Sequence, residues 1–411
     1  MKTTGPQGPL HGLRVLDLSR VLAGPWASQL LADYGATVIK IERPGSGDDT
    51  RHWGPPWLKD REQRPTGESA YFLSTNRNKQ SLTVNLAHEQ GQKIIRELAA
   101  TCEVLIENFR VGSLARYGLD FASLHAINPQ LIYCSITAYG QTSSRADEPG
   151  YDAMMQASAG LMSITGPADA EGGGPQKVGV AICDIMTGMY ATTAILAALA
   201  AHNGEGKGQH IDIALYDSQV AWLANQNMNY LVGGKVPQRQ GTAHPNLVPY
   251  QLFATATGHL MLAVGNESQF RACVGALGCP HLATDPRYMT NAARVGNRQS
   301  LIDILAGKFL LQDTGHWLQV LTACGVPVGP INNIGDIFSD AYASERQLVR
   351  HLEHPVAGEV ATVANPVRFS ATPVQYRQAP PLLGQHTLEI LGEDLKYTPE
   401  EIAALSRDGA I

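Results

Sequence analysis

No dense run of basic residues occurs anywhere in this 411-residue sequence, and its formal net charge is −6. Binding to a nucleic acid needs a clustered positive footprint, so no nucleic-acid partner is expected. The six cysteines (Cys102, Cys134, Cys183, Cys273, Cys279 and Cys324) include no CxxC pair, and HExxH is missing as well. Zinc-site spacing is therefore absent. The lack of GxSxG removes the commonest hydrolase signal. Cys183 sits in an apolar stretch with no histidine that the sequence can place beside it, so a cysteine nucleophile has no support. The start, MKTTGPQGPL, carries neither an apolar signal core nor an Arg-rich amphipathic pattern. Reduced thiols and a cytoplasmic location are the expectation. Charged residues make up only 17% of the chain against 44% hydrophobic, which leaves ample material for a core and, by length, two to three domain-sized units.

What is present reads first as alternating strand and helix. LRVLDL (13–18), TVIKIE (37–42), EVLIEN (103–108) and QLIYCSIT (130–137) are β-rich runs, with helices predicted over 25–34 and 90–100. This is the pattern of a parallel α/β sheet. Such sheets bind ligands beyond the carboxyl ends of their strands, where Ser19-Arg20, Glu42-Arg43, Glu107-Asn108-Phe109 and 137–140 collect here. GEGKGQ (204–209) follows a helix and precedes the strand HIDIAL, the reverse of a phosphate-cradling order, and reads as a turn. Beyond a helix over 218–230 and a Gly/Pro-rich stretch (233–249), strands at 250–254 and 259–264 and helices at 267–277, 298–310 and 315–324 suggest a smaller domain. The tail returns to a strand near 363–369 and helices at 387–392 and 399–406.

Asp184 is the most informative single residue. It opens the uncharged run IMTGMYATTAILAALAA (185–201), which is shorter than the ~20 residues of a membrane span and reads as a buried core helix, so no membrane partner is expected. An aspartate there is commonly an N-cap. Free N–H groups and the macrodipole at a helix head favour its ionised form.

The loop IERPGSGDDTRHWGPP (41–56) gathers Arg43, Arg51 and Trp53 after a strand, and arginines of this kind can fork onto phosphate or carboxylate oxygens. VLDLSRVLAGP, GATVIKIERPGSGDDTR, NRNK, ENF, AICDIMTG, GVPVGPINN and PLLGQHT, taken in order, carry a family resemblance. The chain resembles the class III coenzyme A transferases (the CaiB/BaiF family) from about Leu10 to the C-terminus. The resemblance implies an α/β fold with a large open-sheet, Rossmann-like domain built from both chain ends (1–230 and 326–411) and a smaller inserted α+β domain (231–325). It further implies an interlocked homodimer, no tightly bound cofactor, and acyl-CoA and a small carboxylic acid as substrates.

By the same resemblance, Asp184 in D-x-x-T/S-G is the nucleophile, forming an aspartyl-CoA thioester through mixed anhydrides. Val21, Ala23, Arg43, Asn108, Phe109 and Arg116 serve coenzyme A, and Leu22 and Trp53 face the acyl group. The lysines that some members use for the phosphates are replaced near Ala87 and Pro149. Racemases of the family place a histidine before an aspartate where this chain has Tyr151 in GYDA. A tyrosine, with its pKa near 10, is a poor base for an α-proton, so transfer is preferred over racemisation; a non-catalytic CoA-binding role, the other alternative, would keep Arg43, Asn108 and Arg116 but would not need Asp184. GDDTRHWGPP, YCSITAYGQT and GTAH with VPYQ resemble the branch acting on succinyl-CoA and glutarate-like dicarboxylates. A distal carboxylate needs a cation, for which Arg20, Arg51, His52 and His244 are the candidates.

Overall fold

The computed structural model describes residues 7–201 and 206–411; Gly204 and Glu205 of the GEGKGQ segment lie outside the described residues. Six strands, β1 (Arg14–Asp17), β2 (Thr37–Glu42), β3 (Lys79–Thr83), β4 (Val104–Glu107), β5 (Ile132–Thr137) and β6 (His210–Ala214), form one sheet in the order β3-β2-β1-β4-β5-β6. Every pairing in it is parallel. The central strands are buried on both faces, as all-parallel sheets require. Successive residues enter opposite cores: Leu16, Ile39 and Leu105 join one cluster, while Val15, Val38 and Val104 join the other. The strand order reverses beside β1, and this is the crevice where ligands bind in doubly wound sheets.

Helix α1 (Ala23–Asp33) and the 20-residue α3 (Ile182–Ala201) cover the second core through Ala27, Leu31, Ala191 and Ile195. Gly188 sets how closely they approach. A Cβ there would stand 2.6 Å from the carbonyl oxygen of Ala23. Asp184, one turn earlier, faces the same way and is thereby brought to the N-terminal end of α1.

The chain divides into two units. The first comprises Met1–Leu161, Val178–Met228 and Tyr342–Ile411; the second comprises Met162–Lys177 and Asn229–Ala341. The second is wider than the expected 231–325, for two reasons. Strand β9 (Val328–Pro330) is the third strand of that unit's antiparallel sheet, pairing with β8 (His259–Ala263), which pairs in turn with β7 (Tyr250–Ala254). The segment 162–177 is tied in by Arg239, which donates to the Pro167 carbonyl and pairs with Asp169. Phe253, Leu262, Phe270, Phe309 and Trp317 form this unit's own core.

Two local expectations need correction. The helix expected over 218–230 is two helices, Leu215–Trp222 and Asn225–Gly233, interrupted where Ala224 takes φ = +46°. The tail strand expected over 363–369 is instead the hairpin of β10 (Val349–His354) and β11 (Gly358–Val363), ending at Val363. Pro366 follows and cannot donate to a ladder. VRHLEH in β10 is too polar to read as a strand from sequence because it is partly exposed.

Candidate active site

At the carboxyl end of the sheet a cavity of about 320 Å³ is lined by Val21, Leu22, Ala23, Asn108, Tyr151 and Asp184, among others. A second, of about 350 Å³, is lined by Arg43, Ala87, Arg116 and Tyr117. Arg20, Asp49 and Phe109 border both. Of the residues assigned from sequence to coenzyme A, Arg43 and Arg116 line the second cavity and Val21, Ala23 and Asn108 the first; of the two assigned to the acyl group, Leu22 lines the first and Trp53 lines neither. A larger groove of about 890 Å³, lined by Leu383, Tyr397 and Ile402, contains no side-chain carboxylate, cation or thiol and offers nothing for acyl chemistry.

Asp184 is the third residue of α3, inside its first turn and not at the cap. The capping is done by Asp152, the first residue of α2 (Asp152–Ser158), whose Oδ1 accepts from the N–H of Cys183 at 2.8 Å and of Asp184 at 3.4 Å. Its other oxygen accepts from Gln156 Nε2 at 2.6 Å. The helix-head argument expects a readily ionised Asp184. The opposite holds: burial first, and then the neighbouring Asp152 carboxylate, push its pKa up to about 7. Burial and the same two carboxylates push the Cys183 thiol up to about 12, which withholds a thiolate nucleophile at neutral pH.

Sequence reasoning misses Asp152, although GYDA is notable for its tyrosine. Its role depends on α2 meeting the head of α3 through space, 31 residues apart. Tyr71 is missed as well. Burial and the Asp184, Asp152 and Asp48 charges push its phenol up to about 12, so it stays protonated at neutral pH. Because Asp152 opposes ionisation of Asp184, Asp152→Asn keeps an oxygen for the cap and removes the charge. If Asp184 is the reacting carboxylate, the acidic limb of the kcat/KM profile is expected to move to lower pH, measurable as rate against pH on the folded variant.

The four candidates for a distal carboxylate divide. Arg20 faces both cavities, 39% exposed and 3.1 Å from Asp49. Arg110, unremarked in the sequence, lines the Asp184 cavity. Arg51 is a correction: it is buried and already committed, its Nε and Nη2 forking onto Glu42 at 2.7 and 2.8 Å, with Glu68 at 2.9 Å and the Pro381 carbonyl at 3.0 Å. His52 holds the Ser46 carbonyl through Nε2 at 2.9 Å. Trp53 meets Tyr71 edge to face at 5.1 Å, and neither His52 nor Trp53 lines either cavity. His244 belongs to the second unit. It lies against Tyr250, and its Nδ1 accepts from the Asn246 N–H. Burial and Arg298 lower its pKa below 6.5, so it is neutral and not a cation at neutral pH.

A near-neutral carboxylate at the switch point of a doubly wound sheet, beside an arginine-lined cavity, defines an α/β enzyme suited to acyl-group transfer. Residues 10–387 match the sequence profile of CoA-transferase family III, and the chain belongs to that family. It is 46% identical over 403 residues to a succinyl-CoA:glutarate CoA-transferase of Mus musculus, spanning 98% of this chain and 90% of that one. A succinate–glutarate CoA-transferase of Agrobacterium fabrum is 47% identical, over 94% and 95%. The crystal structure of a CaiB/BaiF family protein from Brucella suis superposes with a TM-score of 0.82 at 44% identity, covering 94% of this chain and 99% of that one. The chain is a CoA-transferase, with acyl-CoA as co-substrate.

Proposed function

We propose that this enzyme moves coenzyme A from succinyl-CoA to a glutarate-like dicarboxylate, with Asp184 as the covalent nucleophile. The observation that carries the reading is that the Asp184 cavity adjoins the Arg43–Arg116 cavity, the two sharing Arg20, Asp49 and Phe109 as lining residues. An extended thioester fits this arrangement, its phosphates toward the arginines and its carbonyl at Asp184. The names of the relatives supply the donor and the acceptor.

In the proposed cycle the Asp184 carboxylate attacks the thioester carbonyl, the C–S bond breaks, and a succinyl–aspartyl anhydride and CoA thiolate form. The thiolate attacks the aspartyl carbonyl and releases succinate, leaving aspartyl-CoA. The glutarate carboxylate then displaces the thiolate to give a second anhydride. Attack of the thiolate on its glutaryl carbonyl yields glutaryl-CoA and restores Asp184. No net proton or electron moves, so the reaction needs no resident cofactor. A desolvated carboxylate is the stronger nucleophile, and a retained thiolate gains effective molarities on the order of 10⁵–10⁸ M. The cavity's walls must also keep water from the anhydrides. Glu42 and Glu68 occupy Arg51, which leaves Arg20 and Arg110 to read the distal carboxylate.

The homodimer, interlocked as the family resemblance implies, belongs to the same proposal. Met189, Tyr190, Trp222 and Met228 are large apolar side chains exposed on the helices from α3 onward, the kind of surface a partner covers. All six cysteines are free, which fits a reducing cytoplasm.

The test is an acceptor panel with succinyl-CoA as donor. Glutarate is expected to exceed acetate and butyrate by at least about tenfold in kcat/KM, one good ion pair's worth, as read by product CoA ester. Equal rates with monocarboxylates would remove the dicarboxylate assignment.

A further inference from the structure

The turn that joins β1 to α1 is held in an unfavourable shape. Val21 has φ = +70°, a region that a β-branched residue enters only when its surroundings over-determine it. Side chains from four places in the chain supply that constraint. Asp17 accepts from the Ser19 N–H at 3.0 Å. Lys40 Nζ donates to the Ser19 carbonyl at 2.9 Å and to Asp48 at 2.9 Å. The Val21 N–H points at both oxygens of Asp48, at 3.3 Å each. Asn108, just past β4, takes both polar groups of Arg20: its Oδ1 accepts the Arg20 N–H at 2.9 Å and its Nδ2 donates to the Arg20 carbonyl at 2.7 Å. The turn is also tight, since a Cβ on Gly24 would stand 2.2 Å from the Ser19 side chain.

The Asn108 carboxamide thus serves the Arg20 peptide as a neighbouring strand would, with one donor and one acceptor in register. The two residues that follow Val21, Leu22 and Ala23, line the cavity with Asp184. We propose that Asn108 is a positioning residue: it clamps Arg20 so that the strained Val21 turn presents Leu22 and Ala23 to the acyl group beside Asp184. This rests on the reading of Asp184 as the reacting carboxylate. It differs from the role given by family resemblance, in which Asn108 contacts coenzyme A: both hydrogen bonds that the carboxamide makes go to the Arg20 backbone, which leaves one N–H and one lone pair toward a ligand.

The two roles separate kinetically. Misplacing a reacting group by about 1 Å costs up to ~10²-fold in rate, whereas losing a ligand hydrogen bond weakens binding. For Asn108→Ala, single-turnover acylation by saturating succinyl-CoA is expected to slow roughly 10- to 100-fold, with the calorimetric Kd for free CoA changed less than about threefold. Glycine adopts φ near +70° without strain, so in a Val21→Gly background the same Asn108→Ala change should slow acylation much less, a coupling typical of residues acting as one unit. Should Asn108→Ala fail to fold, Asn108→Asp keeps the size and the acceptor and loses the donor to the Arg20 carbonyl; it should show the same division between rate and Kd. A raised CoA Kd with unchanged acylation would overturn the proposal, as would an undiminished loss in the glycine background. Failure of the wild-type enzyme to become acylated would instead remove the Asp184 reading, while the CoA Kd of each variant would still report whether Asn108 touches the ligand.

Discussion

Asp184→Asn is expected to lower CoA exchange at least about 10⁴-fold, the scale on which covalent catalysts lose activity without their nucleophile. The affinity for free CoA should stay within a few-fold. Asp184 lines a different cavity from Arg43 and Arg116, so in the proposed mechanism it meets the thioester carbonyl and not the phosphates. An amide cannot form the mixed anhydride, so the loss falls on kcat. The pH dependence of the unsubstituted enzyme follows from the same group. Its carboxyl has a pKa of about 7 in the folded state, and as the proposed nucleophile it would react only when ionised, so kcat/KM is expected to rise as pH climbs through about 7 and to fall away below it. The linkage to stability has the reverse sense. A carboxyl whose folded pKa is raised above the unfolded value makes the folded state less stable as pH rises from about 4 toward 7.

Arg51→Met is expected to cost on the order of 3–5 kcal/mol of stability, because it leaves the Glu42 carboxylate buried without its partner. Glu42 sits at the end of β2 and is buried, its ionised form favoured by Arg51, Lys40 and Ser81 in spite of desolvation. The same arginine stands over the Phe72 ring at 3.7 Å and reaches the Pro381 carbonyl, so it joins the early loop to the C-terminal segment. Urea unfolding should show a lower midpoint for the first unit, while the KM for glutarate in folded enzyme stays near the unsubstituted value. A raised KM with unchanged stability would return Arg51 to the substrate cations.

Much of this organisation is legible in the sequence because it is local. LRVLDL, TVIKIE and QLIYCSIT are short β-rich runs, and their periodicity and turn residues suffice to mark β1, β2 and β5. The edge strand β3 is hidden because KQSLT is polar and its side chains are satisfied from afar, Lys79 by Asp17 and Ser81 by Glu42. Asp184 stands out as an isolated charge, but its protonation behaviour does not follow from its position. The helix head is local, whereas the Asp152 carboxylate arrives through tertiary packing. Arg51 is misassigned from sequence for a related reason. Glu42 and Glu68 lie 9 and 17 residues from it, and nothing in the spacing shows that both converge on one guanidinium. Asn108 lines the Asp184 cavity, and its clamp on Arg20 spans 88 residues and becomes visible only once β1 and β4 lie side by side.

The most direct test of Asp184 chemistry is the intact mass of the enzyme after incubation with succinyl-CoA, trapped with hydroxylamine or borohydride and mapped to a peptide. Modification at Asp184, absent from Asp184→Asn and discharged by glutarate faster than by acetate, is the expected result. A folded, exchanging enzyme that carries no adduct, or carries it on another residue, would contradict the assignment.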